Sequence, residues 1–379
     1  MKKLSILIFI FCKSALYSQT IENIQIHSKE LNQDREILVY TPPGYNELTL
    51  QTYDVIYVFD AQNRELFDFT HAMIRFLDPE QNFIVVGITS PNHPETNYNR
   101  QNDFLPIPVN VAPEDFFGGR KGNVDHFLKY LKNEVAPYIE KNYRTKGRKI
   151  AVGHSLGASF ILWSLVEEPA LFNDYIAVSP NLAFDKERLV NELMNIDYEN
   201  RKSETFLYLS HADEGIEYWR EWLPAREKFY AFLRVGHWTN FQYLIKDFSD
   251  ETHWSSFPPS LTAAFKAYVA FIEERDKKYS KEIYEISISV KVPNKTNEVY
   301  IVGNQPELGD WQADKIKLNR KSDFLREIQL KVHSPAIFKF TRGNWETEGT
   351  VKFHDGSNLY IHPEKQNQLE FEIEEWADN

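Results

Sequence analysis

Cysteine is almost missing from this chain of 379 residues, because Cys12 is the only one. A single thiol cannot form an internal disulfide or a cysteine cluster that binds metal. Methionine is scarce too, with three residues, and the sequence contains no internal repeat or low-complexity tract. These absences exclude disulfide-rich, cysteine-metal and repeat architectures.

An excess of positive charge is also absent. The 43 basic and 55 acidic residues give a formal net charge of −12. Such a surface is not suited to neutralising a phosphate backbone, and we expect no nucleic-acid partner. The composition, with 42% hydrophobic and 26% charged residues, is typical of a globular protein. At ~150 residues per domain, the length predicts two or three folding units.

The N-terminal apolar run is too short to span a membrane. Leu4–Cys12 provides about half of the ~20 residues that a span requires. The run follows Lys2 and Lys3 and precedes a polar stretch that starts near Ser18. This pattern is typical of a secretory signal peptide. We therefore predict a signal peptide at residues 1–18, a secreted or periplasmic location, and no membrane span in the mature chain.

The next segment, residues 19–280, is predicted to form one doubly wound α/β domain. Between about residues 35 and 275, apolar runs alternate with segments of helical periodicity. Several runs are apolar throughout, as in parallel strands that helices cover on both faces. The predicted strands are Ile37–Tyr40, Val55–Asp60, Phe83–Ile88, Lys149–Gly153, Tyr175–Ser179, Thr205–Ser210 and Gln242–Lys246. The predicted helices are Arg64–Phe76, Asn123–Asn142, Leu156–Glu168, Lys186–Met194, Ile216–Arg234 and Pro259–Lys277.

The pattern changes in residues 281–379, where no helical period is found. Alternating runs rich in β-branched and aromatic residues are separated by Gly, Asn, Asp and Pro. This arrangement predicts a small all-β sandwich. Its predicted strands are Ile286–Val292, Glu298–Val302, Phe324–Val332, Ala336–Thr341 and Leu369–Ile373.

Gly153-His154-Ser155-Leu156-Gly157 follows a predicted strand and opens a predicted helix. The pattern Gly-x-Ser-x-Gly in this context is typical of a nucleophile elbow, a strained turn that presents a serine hydroxyl above the sheet. The turn leaves no space for a Cβ atom at either glycine. We predict Ser155 as the nucleophile and His154 as a packed, hydrogen-bonded histidine that points away from it.

A serine nucleophile needs a base and an orienting acid, which follow it in the order acid then histidine in α/β-hydrolases. Asp213 and Glu214 come directly after one predicted strand, and His253 comes after the next. His237 precedes that strand and is predicted to be structural. The residues alone leave Asp213 and Glu214 as alternative acids and favour His253 as the base.

The same chemistry requires two backbone N–H groups that stabilise the oxyanion. The residue after the nucleophile, Leu156, supplies one of them in this type of fold. The turn Asp60-Ala61-Gln62 follows the strand that begins at Val55, and we predict the N–H of Ala61 as the second donor.

With these residues in place, residues 30–275 resemble an esterase family of α/β-hydrolases. The family includes siderophore esterases, esterase D, feruloyl esterases and mycolyltransferase antigens. The resemblance implies Glu214 as the acid, with Asp213 second, and a position for Arg100 near the substrate entrance. It runs through Val55–Asp60, Arg100–Pro106, Phe127–Tyr143, Gly153–Gly157, Tyr175–Pro180 and Asp250–His253.

The last 95 or so residues resemble a starch-binding module of the CBM20 type. The resemblance is carried by Val299–Trp311, by Phe338–Arg342 and by the residues that follow Trp345. It implies that Trp311, Lys339 and Trp345 form a platform on which an α-glucan stacks. Exposed, flat rings are needed for such stacking, whereas a core position for either tryptophan would exclude it.

Taken together, the residues and resemblances predict a secreted serine carboxylic-ester hydrolase that needs no metal or organic cofactor. The expected substrate is a small-molecule or polysaccharide ester, either carbohydrate-linked or of the siderophore type. One alternative is an acyltransferase of the same fold, which would pass through the same acyl-enzyme. Another is a carbohydrate-binding protein whose hydrolase domain is inactive.

Overall fold

The computed structural model describes residues 19–77, 83–112, 122–215 and 220–378, so the predicted signal peptide lies outside the described residues. A single large sheet dominates the first two thirds of this part of the chain. Its strands are β1 (Thr20–Ser28), β2 (Gln33–Thr41), β3 (Tyr53–Phe59), β4 (Phe83–Ile88), β5 (Thr145–His154), β6 (Asp174–Val178), β7 (Thr205–Asp213) and β8 (Phe241–Thr252).

The strand order of this central sheet is β1-β2-β4-β3-β5-β6-β7-β8. The strands from β4 to β8 in that order pair in parallel, whereas β1 and β2 pair antiparallel at one edge. The predicted doubly wound, mostly parallel α/β-hydrolase sheet is therefore confirmed. We call the side where the parallel strands end the carboxyl edge, and the side where they begin the amino edge.

Helices cover both faces of the sheet and bury two separate apolar layers. The helices are α1 (Arg64–Leu77), α2 (Arg100–Phe104), α3 (Val124–Tyr130), α4 (Ala136–Asn142), α5 (Leu156–Glu167), α6 (Phe184–Met194), α7 (Trp222–Val235) and α8 (Phe257–Arg275). The helices α1 and α8 pack on one face, and α2 to α7 pack on the other. Among the residues described, no helix combines the length and the apolar character needed to cross a membrane.

The predicted helix Asn123–Asn142 is interrupted rather than continuous. A π-helical turn at Leu131–Val135 separates α3 from α4. Pro137 lies at the start of α4, where it has no N–H to donate and its ring crowds the carbonyl four residues earlier. The wider π-helical turn relieves this conflict. The apolar periodicity of the segment gives no indication of such a turn.

The predicted all-β domain is a sandwich of two sheets. Its strands are β9 (Tyr284–Lys291), β10 (Tyr300–Gly303), β11 (Ile316–Lys317), β12 (Asn319–Ser322), β13 (Leu325–Val332), β14 (Ala336–Thr341), β15 (Gly349–Val351), β16 (Leu359–Ile361) and β17 (Gln368–Trp376). The four-stranded sheet has the order β11-β10-β14-β16, and the five-stranded sheet has the order β12-β13-β9-β17-β15. The tryptophan that fills the core between the sheets is Trp376.

The β-sandwich packs against the amino edge of the central sheet. The N–H of Leu50, just before β3, donates to the carbonyl of Phe353 over 3.1 Å. His362 Nε2 donates to the carbonyl of Lys146, at the start of β5, over 2.7 Å. Lys146 and Ser155 are nine residues apart along a strand, which corresponds to about 30 Å. The sandwich therefore lies on the side of the sheet opposite to Ser155.

Candidate active site

Ser155 occupies a strained turn between β5 and α5, with φ 56° and ψ −119°. A positive φ is unusual for a residue with a Cβ atom and is held only where the surroundings enforce it. A Cβ atom on Gly153 would lie 2.4 Å from the carbonyl carbon of Gly157. At Gly157 itself the closest contact would be 3.1 Å, to Asp60 Oδ2, which is tight rather than impossible. The predicted steric requirement is therefore strict at Gly153 and weaker at Gly157.

Glu214 and His253 meet at the carboxyl edge, after β7 and β8. His253 Nδ1 lies 2.6 Å from Glu214 Oε2, and both side chains are buried. The N–H of Ala212 donates to Glu214 Oε1 over 3.0 Å. Burial favours the neutral carboxyl, but the hydrogen bonds from His253 and Ala212 outweigh it and hold the pKa of Glu214 below its ordinary value. Glu214 is therefore ionised at neutral pH.

Asp213, the alternative acid, does not reach the histidine. Its side chain is exposed, and its Oδ1 accepts the N–H of Gly215 over 3.2 Å. Between the sequence alternatives, the structure thus pairs Glu214 with His253.

The strand β8 is longer than predicted, and this length matters for His253. Ala212 pairs with Phe248, whereas the next residue, Asp213, pairs with Thr252. The extra residues of β8 form a bulge, and they bring His253 level with the residue that follows β7. The apolar run ending at Lys246 gives no sign of this extension, because the added residues are mostly polar.

His154 is buried and hydrogen-bonded, as predicted, but its partner is unexpected. Its Nε2 lies 2.8 Å from the carbonyl oxygen of His253, so Nε2 must carry the proton and donate it. The two rings pack with their centroids 4.7 Å apart. Burial, with a smaller contribution from His253, lowers the pKa of His154 to about 4. His154 is therefore a neutral support for the backbone and ring of His253.

The assignment of Ala61 as an oxyanion donor is wrong. Its N–H donates to the carbonyl of Ile88 over 3.0 Å, which extends the pairing of β3 with β4 by one step. Among the described residues, the N–H groups of Gln62 and Leu156 have no hydrogen-bond acceptor. Gln62 therefore replaces Ala61 as the available donor of this turn, and Leu156 keeps its predicted position.

Arg100 supports the same turn through Asp60. Its Nε donates to Asp60 Oδ1 over 2.6 Å, and Nη2 donates to Oδ2. Asp60 is fully buried, has a φ of 64°, and also accepts a hydrogen bond from Gln62 Nε2 over 2.8 Å. One third of the Arg100 side chain is exposed. The structure places Arg100 in a bidentate pair with a buried carboxylate, which is a stronger arrangement than a surface ion pair.

Two aromatic residues near His253 had no role in the sequence predictions. The Trp254 ring packs on His154 with centroids 5.0 Å apart, and 64% of the residue is exposed. The Trp222 ring lies edge-on to His253 at 5.7 Å. In the sequence, the only indication of these contacts is that Trp254 directly follows His253. His237, predicted to be structural, is exposed and precedes β8 at its far end.

The three predicted platform residues of the sandwich lie on its surface. The rings of Trp311 and Trp345 are 6.3 Å apart and within 29° of parallel, and 37% and 46% of these residues are exposed. Lys339 Nζ donates to Glu348 Oε1 over 2.5 Å and to the carbonyl of Gly356 over 2.8 Å. Neither tryptophan is part of the core.

The parallel sheet, the strained serine before α5, and the acid–histidine pair at the carboxyl edge define an α/β-hydrolase fold with an appended β-sandwich. The sequence profile of the family described as "Putative esterase" matches residues 28–290. The chain belongs to this family. The profile of the starch-binding domain family CBM20 matches residues 284–372, which include the β-sandwich.

Curated relatives share shorter segments with the chain. The ferri-bacillibactin esterase BesA of Bacillus subtilis (strain 168) is 32% identical over 144 residues, which are 35% of this chain and 50% of BesA. The siderophore enterobactin esterase of Emericella nidulans is 30% identical over 89 residues, 22% of this chain and 29% of that protein. The chain thus spans half or less of the length of these relatives.

Among solved structures, an IroE-like serine hydrolase from Shewanella oneidensis superposes with a TM-score of 0.56 at 22% identity. The superposition covers 69% of this chain and 82% of that one. A likeness at this identity supports the fold.

Proposed function

We propose that this protein is a carboxylic ester hydrolase that uses Ser155, His253 and Glu214. The observation that carries the proposal is the 2.6 Å contact between His253 Nδ1 and Glu214 Oε2. A carboxylate can only accept, so Nδ1 carries the proton, and Nε2 is the nitrogen that acts as the base in this proposal. The His154 ring packs on His253, and His154 is the chain neighbour of Ser155, which brings the serine to the same edge.

In the proposed reaction, Ser155 Oγ attacks the acyl carbonyl while His253 Nε2 accepts its proton. His253 then donates this proton to the leaving alcohol, and an acyl-enzyme remains on Ser155. Water, activated by the same nitrogen, releases the acid. The ionised Glu214 stabilises the imidazolium that forms in each half of the reaction.

The proposed oxyanion donors are the N–H groups of Leu156 and Gln62. Both lie at the carboxyl edge and have no acceptor among the described residues. Each such donor contributes ~3 kcal/mol of transition-state stabilisation in serine hydrolases. Arg100 acts as a positioning residue in this proposal, because its pairing with Asp60 fixes the turn that presents Gln62.

We propose siderophore-type lactone esters that carry aromatic side groups as the substrate class. The two curated relatives described above are named as siderophore esterases. Trp254 supports an aromatic group in particular, because it presents an exposed indole face beside His253 and His154. Export to the periplasm or medium belongs to the same proposal and is supported by the sequence of residues 1–18.

We further propose that the β-sandwich binds an α-glucan on Trp311 and Trp345. The support is the near-parallel orientation and exposure of the two rings, together with the match to the starch-binding family. Stacking on such rings is typical of sugar recognition, because the face of a pyranose carries apolar C–H groups.

The test is hydrolysis of an ester panel: acetylated sugars, feruloylated sugars, p-nitrophenyl acetate and a catecholate trilactone. We expect cleavage of p-nitrophenyl acetate and the fastest turnover on the trilactone. The Ser155→Ala variant should lose about 10⁴-fold or more in kcat. Ser164→Ala is the matched control, because this serine is buried in α5 and donates its hydroxyl to the carbonyl of Ile161 within the helix.

A Ser155→Ala protein that cleaves p-nitrophenyl acetate at the wild-type rate would refute the proposed nucleophile. Labelling with a fluorophosphonate probe gives an independent readout, expected for the wild type and Ser164→Ala and absent in Ser155→Ala. Preference for feruloylated sugars over the trilactone would contradict the substrate class and leave the reaction intact.

A further inference from the structure

A cavity of about 780 Å³ lies between the hydrolase domain and the β-sandwich. Its hydrolase wall includes Arg75, at the end of α1, Lys277, just after α8, and Lys146, at the start of β5. Its sandwich wall includes Trp311 and Tyr360. The volume falls within the range of about 300–1,000 Å³ that small-molecule sites occupy.

The chemistry of the walls indicates a neutral, polar ligand. Basic and acidic side chains nearly balance, because four cations are set against three anions: Arg75, Lys146, Lys277 and Lys339 against Glu273, Asp276 and Asp355. A site for a phosphate or an acidic group would instead carry an excess of one sign. Aromatic faces surrounded by hydrogen-bonding groups of both kinds suit a sugar, whose ring has an apolar face and a hydroxyl rim.

Trp311 connects this cavity with the exposed platform of the sandwich. It lines the cavity and also stands 6.3 Å from Trp345 in near-parallel orientation. Trp345 lies outside the cavity. A chain of sugars that stacks first on Trp345 and then on Trp311 would therefore enter the space between the domains.

We propose that the cavity is a continuation of the sugar site of the sandwich, and that the hydrolase domain supplies part of this site through Arg75 and Lys277. The ligand class is a neutral, α-linked oligosaccharide. The inference rests on the proposed glucan binding by Trp311 and Trp345 and adds the hydrolase wall to it.

The interface that forms the cavity is held by direct contacts. His362 Nε2 donates to the carbonyl of Lys146 over 2.7 Å, and Lys146 Nζ lies 5.3 Å from the centre of the Tyr360 ring. Gln51 Nε2 donates to Ser357 Oγ over 3.3 Å. These contacts join the hydrolase wall and the sandwich wall of the cavity.

The location of the cavity has a consequence for catalysis. It lies at the amino edge, about 30 Å from Ser155 by the length of β5. An oligosaccharide bound there cannot present an ester to Ser155 of the same molecule. The cavity therefore anchors the protein to a glucan, and sugar binding should not compete with ester cleavage.

The test is calorimetric titration of the full chain with maltoheptaose. The double variant Arg75→Ala/Lys277→Ala removes the hydrolase contribution, and we expect about a tenfold loss of affinity. The matched control is Arg64→Ala/Lys266→Ala, which removes one cation from α1 and one from α8 at positions that do not line the cavity. Trp345→Ala, on the sandwich platform, should abolish measurable binding.

Cleavage of p-nitrophenyl acetate is measured for every variant and should match the wild type, which also reports correct folding. Wild-type affinity in Arg75→Ala/Lys277→Ala, with loss in Trp345→Ala, would overturn the hydrolase contribution and leave the sandwich site standing. Failure of the wild type to bind maltoheptaose would overturn both. Competitive inhibition of ester cleavage by maltoheptaose would place the sugar at the carboxyl edge and refute the cavity.

Discussion

The two edges of the central sheet are built differently. The carboxyl edge holds Glu214 and His253 in a short, buried hydrogen bond, beside a serine with strained backbone. The amino edge holds a polar cavity whose charged groups are half-buried or exposed, such as Lys146 and Lys277. The comparison teaches that one sheet, by the length of a strand, separates the buried candidate catalytic pair from the proposed sugar-binding cavity.

Helix direction contributes to this division. Each crossover helix begins near the carboxyl edge and ends near the amino edge, so the edges receive helix ends of opposite partial charge. The N-terminus of α5 lies directly after Ser155, where it favours a developing anion. The last turns of α1 and α8 carry Arg75 and Arg275, which suit the negative ends of helices.

Among the predictions on the two edges, the largest expected effect is on kcat and tests whether Glu214 is the acid at the carboxyl edge. Glu214→Gln keeps the shape of the side chain but removes the charge that stabilises the imidazolium, and we expect about a 10³-fold loss of kcat. Asp213→Asn is the matched variant one residue away and should stay within about twofold, because its carboxylate is exposed and does not contact His253. Steady-state cleavage of p-nitrophenyl acetate measures both.

The assignment of Glu214 as the acid would be contradicted if Asp213→Asn lowered kcat more than Glu214→Gln. The acid would then be the exposed carboxylate, and the buried Glu214–His253 contact would serve stability alone.

A second prediction contrasts charge pairs at the two edges. Among the described residues, Arg100→Ala leaves Gln62 Nε2 as the only side-chain donor to the buried Asp60 carboxylate, and we expect a loss of about 3 kcal/mol in the free energy of unfolding. Lys277→Ala, which breaks the exposed pair with Glu274, should leave the free energy of unfolding essentially unchanged. Urea unfolding of both variants gives the values.

The double variant Asp60→Asn/Arg100→Ala sharpens the interpretation. It removes both charges, so it should be more stable than Arg100→Ala if the cost arises from an uncompensated buried carboxylate. Equal or lower stability would assign the effect to the packing of the Arg100 side chain instead.

The order of the candidate catalytic residues could be predicted from sequence, because it follows from local patterns. Gly153–Gly157 lies between an apolar strand and a helix, and Glu214 and His253 follow the next suitable strands. The error at Ala61 has a physical cause: which N–H of a turn is free depends on how far the neighbouring strands stay paired. That register involves Ile88 of β4, and no local pattern encodes it.

Contacts between segments that are far apart in the chain could not be predicted from the sequence, for the same reason. The His154–His253 contact joins residues 99 positions apart, and the bulge in β8 that aligns His253 has no apolar signal. β1 was missed because its side chains are only half-buried or exposed at the sheet edge, apart from Ser28 at its end. The position of Trp311 in a cavity between two domains follows from their packing, which neither domain's pattern specifies.

A third prediction concerns acid stability, because each edge buries a histidine. Burial lowers the pKa of His154 to about 4 and also lowers that of His354, which lines the cavity. The unfolded chain therefore binds more protons than the folded one as the pH falls from 6.5 towards 4, and stability falls with it. For His154 we expect a loss of about 2 kcal/mol between pH 7 and pH 5.

The measurement is urea unfolding at both pH values. His154→Gln should reduce the difference in unfolding free energy by about that amount, and His354→Gln should reduce it further when combined. An unchanged pH dependence of stability in His154→Gln would mean that burial does not hold His154 neutral in the folded protein. It would also weaken the description of the carboxyl edge as a buried site.

The smallest expected effect tests whether the two edges are independent. His362→Ala removes the hydrogen bond from the sandwich to the carbonyl of Lys146, and we expect about 1 kcal/mol less stability. His27→Ala, at an exposed pair with Asp34, is the control and should change stability by less than about 0.5 kcal/mol. Ester cleavage by His362→Ala should equal that of the wild type, since β5 is rigid and Ser155 is at its other end. A severalfold change in kcat without unfolding would instead show that docking of the sandwich reaches the carboxyl edge through β5, and the edges would then have to be treated as one coupled unit.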